Sequence, residues 1–349
     1  MLLTPNASSV PTRLVQFARE SLDTLRTPTP TRGFPAQPRA AAVDALELTL
    51  RFLNASRPED ALASPPTIQI ALEAAQTFPD HDALILVCYE TINIDALVNA
   101  PNIPHLNRQR MLLAGQLRAL RQGDPLSRIL VARELERQGD PEAALRELND
   151  ARRLVETSQD PSLILLLYNS ALIQRTLGHP LEAAQLYRKI LTFFDTNQVA
   201  PNQPHPILSA ACGNLANLIA TQPPEAFGPN TPLQRYDEAI ALYHRAIEHA
   251  PDSQRKAFWL CNLGNLHKNR SLISNNGDAD LEKAFQALND ALNQNPKLYQ
   301  ARITLAVVFG AIDEFEEARR QLNDALKANP TEKDRQEIER LLQILDSYP

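Results

Sequence analysis

Apolar residues recur every three or four positions along most of this chain, which is the spacing of amphipathic helices. Three Asp-Pro pairs stand directly before such stretches, at 124–125, 140–141 and 160–161. Asp suits an N-cap because its carboxylate accepts backbone N–H groups, and Pro suits the next position, where no donor is needed. The pattern therefore predicts a helix starting after each pair and another at Pro180, with Gly123 and Gly139 ending the preceding helices. Closely spaced short helices are typical of antiparallel hairpins.

Small residues repeat at fixed intervals in the second half of the chain. From Ala318 the next steps are seven residues to Ala325 and five to Pro330, and the same two steps recur from Ala284 and from Ala239. A small side chain at such positions lets two helices cross at about 8–10 Å. The regular intervals therefore indicate stacked helix pairs, each closed by a proline.

With these intervals the chain resembles the tetratricopeptide repeat family, whose unit is a helix–turn–helix of about 34 residues. The best match is 299–330, with similar units at 216–251 and 258–296 and weaker ones at 125–158 and 164–195. Its residues on the small, large apolar and proline positions of the motif are Ala306, Phe309, Ala318, Leu322, Ala325 and Pro330. The resemblance implies an all-α, tetratricopeptide-type solenoid of helical hairpins, wound as a right-handed superhelix.

The predicted organisation has four parts. They are an N-terminal helix with a Pro-rich linker (1–38), an irregular helical region that is a degenerate repeat or a cap (39–123), about five repeat-like units (124–330) and a C-terminal capping helix (331–349) with Thr331 as its N-cap. Within the irregular region, helices are predicted at 39–54, 66–78, 80–100 and 104–122. Two insertions, 221–235 and 268–280, are expected between paired helices, side by side on one edge, where they form an accessory contact surface or are simply tolerated loops.

Composition and charge narrow the function classes. The chain has 10 Gly and 27 Pro, and its formal net charge is −6, so it has no overall positive field to attract nucleic acid. No apolar run is long enough to span a bilayer, and no signal peptide is evident at the start. Cys88, Cys212 and Cys261 are far apart and are expected to be buried and unpaired. These features predict a cytoplasmic protein that does not bind nucleic acid and does not insert into membranes.

Motifs of catalysis and cofactor binding are missing from the sequence. It contains no GxGxxG, GxxxxGK[ST], HExxH or GxSxG motif. His244 and His249 are five residues apart, which places them on different faces of a helix, and the 278–282 acidic run suits a helix start better than a Ca²⁺ loop. We therefore expect no enzyme activity, no cofactor and no metal site.

Asparagines recur on the first helices of successive units, at Asn169, Asn214, Asn217, Asn262 and Asn265. An Asn amide offers donors and an acceptor, so such a row suits the backbone of an extended peptide. The alternative is that these amides bridge neighbouring helices. If they contact a peptide, replacing Asn217 and Asn265 with Ala weakens partner capture and leaves thermal stability nearly unchanged.

The repeat register predicts a peptide-binding groove with two cations, Arg133 and Lys268, and three apolar contacts, Tyr168, Phe258 and Val307. The full predicted set is Arg133, Tyr168, Leu172, Asn217, Phe258, Asn265, Lys268, Gln300 and Val307. Trp259, next to Phe258, is expected in the core.

The resemblance also extends to a variant of the family that clamps the terminal carboxylates of chaperone tails. Asn217 and Asn262 match its two Asn positions, but Gly213, Gln300 and Thr304 occupy the three basic ones. Without cations there is no charge-assisted pairing with a carboxylate, so no such clamp is expected.

The sequence thus predicts a non-enzymatic scaffold or adaptor that holds a peptide segment of a partner protein in its groove. The alternative is an accessory or regulatory subunit of an assembly whose catalysis lies on another chain. The predicted helix at 11–26 adds a regulatory hypothesis, in which it folds back into the groove or mediates self-association.

Overall fold

The computed structural model describes residues 85, 88, 89, 104–122, 124–155, 162–196, 204–222 and 231–346. These residues form twelve helices and contain no strand. The helices are α1 (Pro104–Leu120), α2 (Pro125–Arg137), α3 (Pro141–Val155), α4 (Ser162–Thr176), α5 (Pro180–Thr196), α6 (Pro206–Thr221), α7 (Pro232–Glu248), α8 (Ser253–Ser271), α9 (Gly277–Gln294), α10 (Tyr299–Ala311), α11 (Phe315–Lys327) and α12 (Glu332–Leu345). The all-α expectation is confirmed.

The chain divides into two compact units, unit 1 up to Leu177 and unit 2 from Gly178 onwards. Within unit 1, consecutive helices from α1 to α4 are in contact. Within unit 2, consecutive helices from α5 to α12 are in contact. Helices α2 and α4 also touch, as do α8 and α10, so first helices of successive pairs lie side by side. The predicted pair at 164–195 is divided between the two units. The predicted linker and the N-terminal helices up to residue 100 lie outside the described residues, apart from residues 85, 88 and 89.

Helix starts lie where the capping pattern predicts them. Helix α2 has Asp124 as its N-cap, whose carboxylate accepts the Leu126 N–H at 3.2 Å. Before α3, Asp140 accepts from the Ala143 N–H at 2.9 Å. The preceding Gly139 has φ 83°, a left-handed conformation that glycine adopts without strain. Thr331 caps α12 as expected, by accepting from the Asp334 N–H.

The small residues of the repeat register lie at helix crossings. Ala144, Ala216, Ala239 and Ala284 are fully buried, and so are Ala291, Ala318 and Ala325. A Cβ at Gly264 on α8 would lie 2.6 Å from Leu288 Cγ on α9. The regular spacing of small residues in the sequence therefore marks the positions where helix pairs approach most closely.

The prediction that residues 268–280 form an inserted loop is wrong. Helix α8 continues to Ser271 and α9 already begins at Gly277, which leaves only 272–276 between them. The extra residues extend the two helices, whose backbone groups are satisfied within the helices rather than by water. Of the other expected insertion, 223–230 lies outside the described residues and α7 starts at Pro232. The 268–280 segment thus does not form one of two adjacent loops of an accessory surface.

Unit 1 contains a buried carboxylate. Glu134 on α2 is 1% exposed and accepts a hydrogen bond from the Tyr89 hydroxyl at 2.8 Å. Its second oxygen accepts a hydrogen bond from Arg110 Nε of α1 at 3.3 Å, and Arg137 donates to the same oxygen as Tyr89. Arg110 is itself only 3% exposed. Because a lone buried charge is costly, the two helices depend on this pairing.

A histidine begins α6 where Asp or Thr would be usual. His205 is the N-cap, and its neutral Nδ1 accepts the Leu208 N–H at 3.4 Å. Burial, and then the neighbouring His249, lowers the pKa of His205 below its usual 6.5. A protonated ring could not accept this bond, and its charge would oppose the helix dipole.

The histidine cap predicts acid sensitivity. Because the pKa of His205 is lower in the folded chain, the unfolded chain takes up the proton first, and stability falls as the pH drops below about 6.5. We expect His205→Asn, which keeps a good cap, to lose less stability between pH 7.5 and 5.5 than the parent chain. Urea unfolding at both pH values measures this. His244→Asn, at an exposed site on α7, is the control, and equal pH dependence in parent and His205→Asn would contradict the prediction.

Candidate peptide-binding face

Trp259 anchors helix α8 to its neighbours. Its side chain is 2% exposed, and the indole N–H donates to Ser209 Oγ on α6 at 3.0 Å. Ser209 in turn donates to the Ala246 carbonyl at 2.6 Å. Gly213 lies against the ring so closely that a Cβ there would be 2.5 Å from it. The expectation that Trp259 is core is confirmed, and its bonds set the rotation of α8.

Phe258 faces away from this core. One helical residue turns the direction by about 100°, so with Trp259 buried its neighbour points outward, and Phe258 is 43% exposed. The two rings meet edge to face with centroids 4.8 Å apart. Asn265, seven residues further along, is also exposed and has no hydrogen-bond partner among the described residues. Phe258 and Asn265 thus share one exposed side of α8.

Asn217 differs from Asn265 because it bridges two helices. Its side-chain oxygen accepts a hydrogen bond of 2.5 Å from the Tyr243 hydroxyl of α7. Tyr243 is 2% exposed, and burial raises the pKa of its phenol above the usual range. The alternative kept open by the sequence, an amide between helices, therefore holds for Asn217. The other asparagines are buried or half-buried, and Asn169 donates to the Leu165 carbonyl of its own helix.

This contrast changes what alanine substitution is expected to do. Asn217→Ala leaves a buried hydroxyl without its acceptor and should cost about 1–3 kcal/mol of unfolding free energy. Asn265→Ala removes an exposed side chain and should stay within about 0.5 kcal/mol of the parent. Denaturant unfolding of the two single variants measures the difference. Equal losses in both would contradict the assignment, and the double variant is no longer expected to leave stability unchanged.

The remaining predicted contacts fall into two groups. Gln300 and Val307 are exposed on α10, which touches α8, while Lys268 is half-buried on α8. Burial lowers the pKa of the Lys268 ammonium. The other three, Arg133, Tyr168 and Leu172, belong to unit 1.

Tyr168 and Leu172 offer little surface to a peptide. Tyr168 is 3% and Leu172 is 8% exposed, so both side chains belong to the core of unit 1. Their helix is apolar nearly all round, and sequence periodicity does not distinguish its outer side. Arg133, in the same unit, is half-buried. The exposed residues of the predicted set therefore lie on α8 and α10, two helices in contact.

A charged cluster that the sequence analysis missed fixes the carboxyl end of α8. Arg270 donates to Asp280 of α9 at 2.5 Å and pairs with Asp237 of α7 at 3.1 Å. His267 Nδ1 lies 3.6 Å from the same Asp280 oxygen. Burial opposes ionisation of Asp280, yet hydrogen bonds from Ser274 and Arg270 outweigh it and lower the pKa. The only sequence signal was the acidic run at the start of α9, which correctly indicated a helix start.

The described part of the chain meets the requirements neither of a metal site nor of a membrane-spanning helix. It contains no group of His, Cys, Asp and Glu placed to bind a metal ion. No described helix is both long and apolar enough to cross a membrane. Cys88, Cys212 and Cys261 are buried and unpaired, as expected, and burial raises the pKa of each thiol to about 12.

Several solved structures are similar to this chain. A tetratricopeptide repeat protein from Parabacteroides merdae aligns over 88% of this chain and 99% of its own, with a TM-score of 0.52 and 13% identity. BtubC (BKLC) from P. vanneervenii covers 75% of this chain and 90% of its own, with a TM-score of 0.47 and 18% identity. YrrB, described as a TPR protein with an unusual peptide-binding site, covers 63% and 94%, with a TM-score of 0.43 and 15% identity.

No protein-family model and no curated protein matches the chain. The likeness to known proteins is therefore one of fold. It rests on consecutive helices in contact, small residues buried at their crossings in a regular register, and an alignment with the Parabacteroides merdae protein over 88% of this chain. Together these features show that the chain has the helical-hairpin fold of tetratricopeptide repeat proteins.

Proposed function

We propose that this protein is a non-enzymatic interaction scaffold that binds an extended segment of a partner protein. The observation that carries the proposal is the exposed side of α8, where Phe258 and Asn265 lie opposite the buried Trp259. The proposed face also includes Lys268 of α8 and the exposed Gln300 and Val307 of α10, a helix that contacts α8. The proposal does not need the other four residues that the repeat register predicted, which are Arg133, Asn217, Tyr168 and Leu172.

The chemistry of the face suits a peptide. Phe258 is 43% and Val307 is 37% exposed, so each has apolar area to bury on binding. Asn265 offers donors and an acceptor, which match the backbone of an extended segment without selecting its side chains. A single peptide held in this way typically reaches micromolar affinity.

Capture of the partner tests this function. We expect Phe258→Ala combined with Asn265→Ala to reduce recovery of the partner in a pull-down from native cells at least tenfold, while the melting temperature changes little. Identification by mass spectrometry shows what the partner is. If an enzyme co-purifies and its activity depends on this chain, the scaffold is an accessory subunit of that enzyme.

The chain offers a matched control on the second helix of the same pair. Phe285→Ala with Asn293→Ala removes the same residue types from exposed positions of α9. This variant should retain the partner fully. Equal losses in the two double variants, or no loss in the first, would show that the exposed side of α8 is not the binding face.

A further inference from the structure

Acidic residues of unit 2 are segregated by helix. The first helices of its pairs, α6, α8 and α10, contain no Asp or Glu. The second helices, α7, α9 and α11, carry Asp237, Glu238, Glu248, Asp278, Asp280, Glu282, Asp290, Glu316, Glu317 and Asp324. In a chain of net charge −6, these three first helices thus carry no carboxylate of their own.

The cations of these first helices differ in what they face. Arg270 and Arg302 form ion pairs with carboxylates of second helices, so their charges are compensated within the protein. Arg255, Lys256 and Lys268 of α8 form no ion pair with any carboxylate in the described part of unit 2. The nearby Asp252 is the N-cap, and its carboxylate accepts the backbone N–H of Arg255 at 2.7 Å.

Two of the three uncompensated cations border the proposed binding face. At 100° per residue, Arg255 and Lys268 lie about 60–80° to either side of Phe258 and Asn265, whereas Lys256 points away. Arg255 also lies over the Trp259 ring, 5.9 Å from its centroid, which holds it beside the exposed Phe258. The thirteen steps from Arg255 to Lys268 span about 20 Å of helix. About six residues of extended chain cover that distance.

We propose that the partner segment is acidic, with carboxylates on both sides of an apolar residue that contacts Phe258. This inference rests on the proposed function and names the partner class for the same face. Charge complementarity supports it, since an acidic segment meets two cations and no carboxylate on α8. A terminal carboxylate is not required, because the segment crosses the face and does not end in a clamp.

Selection from random peptides tests the partner class without assuming a sequence. The full-length chain is used as bait for displayed twelve-residue peptides, and the Phe258→Ala/Asn265→Ala variant removes peptides that bind elsewhere. We expect the remaining peptides to be enriched in Asp and Glu around an apolar residue. Enrichment in Lys and Arg, or no charge preference, would overturn the acidic class and leave the binding face intact. If no peptide depends on Phe258 and Asn265, the proposed function itself fails.

Affinity measurements on one selected peptide, made with an amidated C-terminus, locate the charge contacts. We expect Lys268→Gln with Arg255→Gln to weaken binding about fivefold in low salt and to reduce its salt dependence. Lys256→Gln removes one positive charge from another side of α8 and should change the affinity less than twofold. Equal effects of the two variants would overturn the proposal. So would displacement of the peptide by a single-stranded oligonucleotide, because that would point to a different anionic partner.

Discussion

Replacing Gly213 with alanine is expected to lower the unfolding free energy by about 1–3 kcal/mol and the melting temperature by about 4–10 °C. The new Cβ would lie 2.5 Å from the Trp259 ring, which is closer than any packed contact allows. The ring has little room to move, since it is buried and its N–H is bonded to Ser209 at 3.0 Å. Thermal unfolding followed by circular dichroism measures the loss.

Gly310 is the matched control for this substitution. It lies in the last turn of α10, in the same unit, and a Cβ there would meet nothing within 4 Å. Gly310→Ala should therefore raise the unfolding free energy by about 0.4–1 kcal/mol, because alanine restricts the unfolded chain more than glycine does. If Gly213→Ala is as stable as Gly310→Ala, the close approach of α6 to Trp259 is not present in solution.

Replacing Glu134 with glutamine is expected to cost about 3–5 kcal/mol, the loss typical of removing one partner from a buried ion pair. The change keeps the shape of the side chain but removes the charge that faces Arg110, whose side chain is 4% exposed. It also weakens the acceptor for the Tyr89 hydroxyl at 2.8 Å. Urea unfolding of the full chain, monitored by circular dichroism, measures this cost in the transition of unit 1.

Glu142 provides the control in the same unit. Its carboxylate is 4.0 Å from Arg146, and the two side chains are 76% and 68% exposed, so water screens the pair. Glu142→Gln should change the unfolding free energy by less than about 1 kcal/mol. A loss for Glu134→Gln no larger than this would mean that the Arg110 pair is also solvated and does not hold α1 to α2.

The proposed binding face was partly predictable. The repeat register placed Phe258 outward and Trp259 inward, and the burial of the two side chains agrees with that prediction. The register treated Asn217 and Asn265 alike, because both occupy the same position of the motif. Only the structure separates them, since Asn217 accepts a hydrogen bond from Tyr243 on another helix and Asn265 has no hydrogen-bond partner among the described residues.

The sequence by itself determined the helices, their starts and their close crossings. An N-cap such as Asp124 or Thr331 bonds to a backbone group two or three residues away, so its partner is always present in the local sequence. Small residues at regular intervals marked the crossings for a similar reason, because each helix presents the same side at each turn.

What only the tertiary structure decided are the contacts between distant residues. Glu134 meets Arg110 and Tyr89 across 24 and 45 positions, and Trp259 meets Ser209 across 50. No local pattern marks such partners, because their distance depends on how whole helices pack. The segment 268–280 shows the same limit. Its polar residues resembled a loop, yet the pairing of Arg270 with Asp280 holds them in two extended helices.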